Sequence, residues 1–211
     1  MIKKLIVGDL QSNCYIVYNE QLAQAILFDP GSDYKKINRF LKEKQLTLKG
    51  IFLTHGHIDH IGATDVFLSQ MPTLPVFIHK EDASFLGDGS KNLSLNISRT
   101  NYVLKPANLI LLEDLQIVDI ADYKVECRHY PGHTPGACMY FIHDLHAIFS
   151  GDVLFSKAIG RFDLPYGNRV DTIRSLQKIK ELTFDYDVYP GHEEKTTLQD
   201  EILNNPYLQQ V

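Results

Sequence analysis

Short apolar runs broken by glycine, asparagine and aspartate open the chain. Residues 2–8, 13–18 and 24–29 are rich in Ile, Val, Leu, Tyr and Phe, a pattern that predicts three antiparallel strands. Asp29-Pro30-Gly31-Ser32 ends the third. Ser32 or Asp33 is then placed to cap a helix with Ile37, Phe40 and Leu41 on one face. Gly50-Ile51-Phe52-Leu53 reads as a buried strand, 63–70 as a helix stopped by Pro72 and Pro75, and 76–78 as a strand. His79 follows, and Glu81-Asp82 mark an acidic helix start. Residues 87–108 keep no steady period and read as a surface loop, either a place for substrate contacts or a plain excursion.

Strand patterning returns at 109–112, 116–120, 123–129, 137–142 and 146–149. Ile173, Leu176, Ile179 and Leu182 then form a helical stripe over 170–182. Val188-Tyr189 is a last short strand, and 198–203 is a helix stopped by Asn205-Pro206. Strands, helices, strands and helices in that order predict a layered α/β or α+β domain.

The chain has 211 residues, 44% of them hydrophobic, which suits one domain with one sizeable core over 1–211. A net charge of -5 with no basic run argues against a nucleic-acid partner. No apolar stretch approaches the roughly 20 residues of a membrane span, and the few apolar residues after Lys3 and Lys4 are too few for a signal-peptide core. Three scattered cysteines, Cys14, Cys127 and Cys138, fit reduced thiols in a cytoplasmic protein.

The candidate chemistry lies just past the strand at 50–53. Thr54-His55-Gly56-His57-Ile58-Asp59-His60-Ile61-Gly62 gathers three histidines and an aspartate, a donor set that suits zinc and similar divalent ions. His55 and His57 point the same way only if the backbone is extended there, so the spacing implies a loop site. Gly56 and Gly62 let the backbone bend closely around an ion.

The same arrangement recurs downstream. Pro131-Gly132-His133-Thr134-Pro135-Gly136, Ser150-Gly151-Asp152 and Tyr189-Pro190-Gly191-His192 each put a His or Asp beside glycine, just beyond an apolar strand. Strand ends on one edge can converge on one pocket. His55, His57 and His133 would give three nitrogens to one ion, the open catalytic pattern. Asp59, His60 and His192 would hold a second, and Asp152 would bridge. Two divalent ions roughly 3.5–4 Å apart would turn a bridging water into a hydroxide nucleophile near neutral pH, which Asp59 could orient. Zinc is the first expectation, with iron or manganese compatible with the same donors. His79, His129, His143 and His146 read as ordinary surface or supporting residues.

Thr-His-Gly-His-Ile-Asp-His (54–60), Pro-Gly-His-Thr-Pro-Gly (131–136), Gly-Asp (151–152) and Pro-Gly-His (190–192) together resemble the metallo-β-lactamase superfamily over essentially the whole chain. The resemblance implies an α+β, four-layer αββα sandwich with a dinuclear site at the sheet edges. Asn92-Leu93-Ser94, the stretch 159–167, Thr196-Thr197, Glu201 and Asn205-Pro206 look most like small glyoxalase II-type hydrolases, which cleave S-lactoylglutathione, a thioester. His60 points away from true β-lactamases.

The chain departs from full-length glyoxalase II in lacking its C-terminal helical region, so the glutathione contacts do not transfer. It departs again at Glu193-Glu194-Lys195, where relatives often have a glycine after the histidine. Arg161 and Tyr166 are candidate substrate contacts, with an Arg161–Asp163 pair that shapes the loop as the commoner alternative. The expected function is thus a metal-dependent hydrolase of a small thioester. The alternatives are an iron-dependent persulfide dioxygenase, disfavoured by the lack of a cysteine in 158–163, and a lactonase or esterase using the same site.

Overall fold

The computed structural model describes residues 1–211. Two six-stranded sheets pack face to face. The first holds β1 (Ile2–Val7), β2 (Ser12–Asn19), β3 (Gln24–Phe28), β4 (Thr47–Leu53), β5 (Val76–His79) and β6 (Leu109–Leu112), in chain order. β1, β2 and β3 are antiparallel, as the pattern predicts, and β3 to β6 run parallel. The second sheet holds β7 (Ile117–Ile120), β8 (Tyr123–His129), β9 (Cys138–Ile142), β10 (Ala147–Gly151), β11 (Asp187–Pro190) and β12 (Thr196–Thr197). β7 to β10 are antiparallel, β11 lies parallel to β10, and β12 runs antiparallel beside β11.

Helices α1 (Tyr34–Glu43), α2 (Ile58–Ile61), α3 (Thr64–Gln70), α4 (Ser94–Ile97), α5 (Arg169–Lys180) and α6 (Leu198–Asn204) complete the chain. No helix is long and apolar enough to cross a membrane.

Side-chain alternation on the strands divides the interior into three cores and the molecule into four layers. Cys14 and Ile16 of β2 face outward and pack with Ile37 and Leu41 of α1 and Phe67 of α3. Tyr15 and Val17 face inward and meet Tyr140, Ile142 and Phe149 of the second sheet. Met139, Phe141 and Ile148 face the other way, onto Leu176 and Ile179 of α5 and Leu198 of α6. With both faces covered, the central strands are near-continuous apolar runs rather than alternating ones. The three cysteines are all buried and free.

A column of aromatic rings fastens the sheets together. Phe149 stacks on Phe28 at 4.0 Å, Phe28 on Phe52 at 5.2 Å, and Phe52 on Phe77 at 4.4 Å. At the edge where β5 and β8 end, His79 and His129 stack at 3.9 Å, so their role is packing between the sheets.

The structure corrects several local readings. Asp33 stands at the N-cap of α1, but its backbone is left-handed (φ 52°) and its side chain makes no cap bond. Its carboxylate instead accepts from the Gly8 amide, tying the β1–β2 turn to the helix. The acidic start at Glu81 opens a 3-10 stretch, Lys80–Gly87, because the His79 imidazole accepts from the Glu81 amide. The loop 87–108 contains α4, with Asn92 bonding two backbone groups within the loop, Tyr102 O and Ser94 N, and a third just before it, Phe85 O. Gly56 and Gly62 do not need special dihedrals. A Cβ at Gly56 would lie 2.4 Å from Phe85 Cβ, and one at Gly62 would lie 2.4 Å from Gly31 O, so close approach explains both.

Phe52→Ala should cost about 3–5 kcal/mol through the cavity left in the ring column, read as a lower urea midpoint with an unchanged m-value. A second expectation concerns pH. Burial first, then the neighbouring His129 and Lys80, lower His79 from an ordinary value near 6.5 to about 4. The unfolded chain therefore binds the extra proton, and this contribution is full above about pH 6.5 and fades as pH falls towards 4. Chelator-treated wild type should lose more stability than His79→Gln between pH 7 and pH 5; parallel losses would contradict this.

Candidate metal centre

Every predicted ligand lies just past a strand that runs towards the same edge. β4 delivers His55 and His57, β8 leads to His133, β10 to Asp152 and β11 to His192. The loops are locked across the sheets by backbone bonds, from Cys138 N to Thr54 O at 3.0 Å and from Asn13 N to Gly191 O at 2.7 Å. His57 is extended (φ -73°, ψ 149°), so His55 and His57 share a direction, and Asp59 and His60 follow on α2.

The seven side chains form three overlapping groups, each with its ligand atoms within 4.8 Å of one another. His55, His57 and His133 make one, Asp59, His60 and His192 another, and Asp152 joins His55 and His60 in the third. Asp152 lies between the two ends of the site. Its Oδ1 is 3.4 Å from His60 Nε2, and its Oδ2 is 3.5 Å from His133 Nε2 and 3.7 Å from His192 Nε2. Asp59 Oδ2 sits 3.3 Å from His192 Nε2. His79, His129, His143 and His146 belong to none of these groups. His143 pairs instead with Glu126 at 2.6 Å.

Residues to which the sequence reading gave no such role aim the imidazoles. Asp29, left-handed at φ 50°, accepts from the Thr54 amide and hydroxyl at 2.8 and 2.6 Å, and from His60 Nδ1 at 3.0 Å. With its hydrogen given to Asp29, the Thr54 hydroxyl accepts from His55 Nδ1 at 3.1 Å. The Arg161 carbonyl accepts from His133 Nδ1 at 2.6 Å. In this network the Nε2 lone pairs of His55, His60 and His133 all face the centre.

Asp82, fully buried, accepts from the Gly56 amide, the Thr134 hydroxyl and the Gly136 amide, and so pins the first ligand loop to the second. Ser12 donates to Asp59 Oδ2 at 3.0 Å. Only an aspartate at a strand end, as at Asp152, could have flagged Asp29; nothing in the local pattern distinguishes Asp82 or Ser12.

The electrostatics fit a cation. Burial, then neighbouring imidazoles, hold His55 and His57 well below the usual histidine range, so both are neutral donors. Burial opposes charge on His60, but Asp59, Asp152 and Asp29 outweigh it and push it up. Burial likewise resists ionisation of Asp59, and the His60 and His192 contacts overcome it and pull it down. Four buried atoms here have no hydrogen-bond partner: Nε2 of His55, His57 and His60, and Oδ1 of Asp152. Buried polar atoms rarely stay unpaired. Three of these, Nε2 of His55 and His60 and Oδ1 of Asp152, belong to residues of one convergent group, while His57 turns its Nδ1 to His133 Nε2 at 2.9 Å. The residues therefore fit divalent ions of the kind that imidazole and carboxylate select.

The two candidate substrate contacts lie at the rim. The Arg161 side chain is two-thirds exposed and makes a bidentate pair with Asp163 at 2.9 and 3.0 Å. Tyr166 packs its ring on Phe85, which in turn faces His57.

Residues 7–192 match the profile of the metallo-beta-lactamase superfamily. Over 207 residues the chain is 36% identical to the probable metallo-hydrolase YqgX of Bacillus subtilis, covering 98% of this chain and 96% of that protein. It is 31% identical over 208 residues to the hydroxyacylglutathione hydrolase GloC of Haemophilus influenzae, covering 98% and 97%. Among solved structures, the BLEG-1 B3 metallo-beta-lactamase superposes with a TM-score of 0.91 at 36% identity over 99% of both chains. TTHA1623 in a di-iron-bound form gives 0.84 at 29% identity over 97% and 99%. Fold, donor set and profile agree, and the chain belongs to the metallo-beta-lactamase superfamily.

Proposed function

We propose that this metallo-hydrolase cleaves a small thioester, of which S-lactoylglutathione is the first to test, at a centre of two divalent ions. The observation that carries the reading is the pair of three-residue clusters with Asp152 between them. When bound, two such ions supply Lewis acidity for a carbonyl and lower the pKa of a water between them. Zinc suits the donors, and iron or manganese would be held by the same atoms.

The chain's own residues do the rest. His55 and His57 present neutral nitrogens on one side, with His133 beside them, and Asp59, His60 and His192 answer on the other. Asp59, ionised and fixed by Ser12, is placed to accept a hydrogen bond from the attacking water and orient it. All seven side chains are committed to the clusters, so none of them is left over as a separate general acid. A thiolate, whose conjugate acid has a pKa near 8.5, can depart without one, and this favours a thioester over an amide. GloC's hydroxyacylglutathione activity supports the same class. Two complete clusters also favour hydrolysis over oxidation of a persulfide at a single iron. A β-lactam is the second reading, supported by the likeness to BLEG-1.

Zinc-loaded protein should release thiol from S-lactoylglutathione at a rate that a chelator abolishes and added zinc restores. It should hydrolyse a chromogenic cephalosporin far more slowly. The reverse preference would replace the thioester reading with the β-lactam one, and no chelator-sensitive turnover of any thioester would sink it. Asp152→Ala should lower metal content and kcat together, the latter by on the order of 100-fold or more, as loss of a directly acting polar group does. Asp82→Ala should keep all seven ligands yet cost roughly 1–3 kcal/mol for each of its stranded buried donors, read in thermal unfolding of the apo protein.

A further inference from the structure

Glu201 of α6 is a fully buried carboxylate that the chemistry above leaves unused. Its Oε2 accepts from the Lys157 amide and from Asn205 Nδ2, both at 2.8 Å, and its Oε1 accepts from the Thr196 hydroxyl at 2.7 Å. Asn205 Nδ2 also donates to Ala158 O at 3.1 Å and, more weakly, to Phe155 O at 3.4 Å. Three of these bonds, at Lys157, Ala158 and Phe155, fall on one tight turn, Phe155 to Ala158, closed by its own bridge. Lys157 sits in that turn at φ 57°, a conformation that costs energy for a residue with a Cβ. The turn is therefore held from outside, by the C-terminal segment.

What the turn delivers lies at the centre. The Phe155 ring stands edge-on to the His192 imidazole, 6.0 Å between centroids at 88°. Phe155 and His192 also share a wall of an open cavity of about 620 Å³. Past the turn, Gly160 packs so tightly on Asp152 that a Cβ would lie 1.8 Å from Asp152 O. The next residue, Arg161, gives its carbonyl to His133. One loop thus leaves Asp152, passes through the turn held by Glu201, and returns onto Asp152 and His133.

We infer that Glu201 is a positioning residue for the metal centre: by holding the 155–158 turn it sets Phe155 against His192, and Gly160 and Arg161 against Asp152 and His133. The inference rests on the seven residues being ligands of two ions. Glu201→Ala leaves the Lys157 amide and the Thr196 hydroxyl without their acceptor, takes one of its acceptors from Asn205 Nδ2, which keeps Ala158 O, and removes the Lys157 Nζ contact at 3.5 Å. Glu201→Gln keeps an acceptor for the first and third, and offers an N–H to Thr196 Oγ1, which can accept.

The test is metal affinity of the apo protein, measured by zinc competition with a chromophoric chelator. The proteins compared are wild type, Glu201→Ala, Glu201→Gln, Phe155→Ala and Leu208→Ala. Leu208 is fully buried in the same C-terminal segment, within the core beside α5 and α6, and controls for general loosening. Glu201→Ala should weaken zinc binding about 10- to 100-fold, the usual effect of removing a group that supports a ligand. Glu201→Gln should stay near wild type. Phe155→Ala should weaken one ion and leave the other. Leu208→Ala should lower Tm and leave affinity alone.

Equal behaviour of the two Glu201 variants overturns the inference, as does a Leu208→Ala protein that loses as much affinity as Glu201→Ala. If Glu201→Ala does not fold, unchanged affinity of Phe155→Ala for both ions overturns it instead. A wild type that binds no zinc, iron or manganese would remove the dinuclear reading itself, and that result comes from the first titration, apart from any variant.

Discussion

Two buried carboxylates hold the centre together. Asp29 and Asp82 are almost wholly excluded from water, and each is surrounded by donors from the loops that bear the candidate ligands. A buried carboxylate is costly unless its oxygens are satisfied. Asp29 can be satisfied only when Thr54 and His60 stand where they do, and Asp82 only when Gly56, Thr134 and Gly136 meet. The penalty for misplacing either loop is therefore paid at these two side chains, which makes the loops as well fixed as strands.

The sandwich is the frame that this constraint needs. Parallel β4 and β5 in one sheet, and β8, β10 and β11 in the other, end at a common edge, and the ring column from Phe149 to Phe77 fixes the spacing of the sheets. Loops at that edge can then carry conformations no isolated chain would keep, such as the left-handed Asp29 and the crowded approach of Gly31 to Asp59 O, where a Cβ would lie 1.5 Å away. The result is a concentration of lone pairs facing inward, with His55 and His57 neutral and Asp59 ionised. Such a set is poorly stable by itself and well matched to divalent cations.

The rim is built to a looser standard. Arg161 spends its side chain on Asp163 and contributes to the centre only through its carbonyl. The half-exposed Tyr166 and Lys91 approach each other at 5.6 Å on the His57 side, while Glu193 and Glu194 stand beside His192.

The sequence by itself marked every strand but the short β12, a layered domain of strands and helices, which the family resemblance narrowed to α+β, and all seven convergent side chains. Those features are local: an apolar run of five to seven residues reads as a strand wherever it occurs, and a histidine beside glycine just past it is visible without knowing its neighbours. The spacing of His55 and His57 put them on one side on condition of an extended backbone, which the structure supplies. Only the tertiary structure decided what Asp29, Asp82 and Ser12 do, because each acts on groups between 25 and 54 positions away in sequence (47 for Ser12 and Asp59), and only it joined Glu201, which the resemblance had marked without a role, to Lys157 44 positions away. Their identity as ordinary Asp, Ser and Glu residues holds no trace of those partners. It decided, too, that Asp33 binds Gly8 rather than capping its helix, and that Gly56 and Gly62 serve close packing rather than a bend. A carboxylate's role is set by which donors surround it once water is gone, and that is a property of the folded chain.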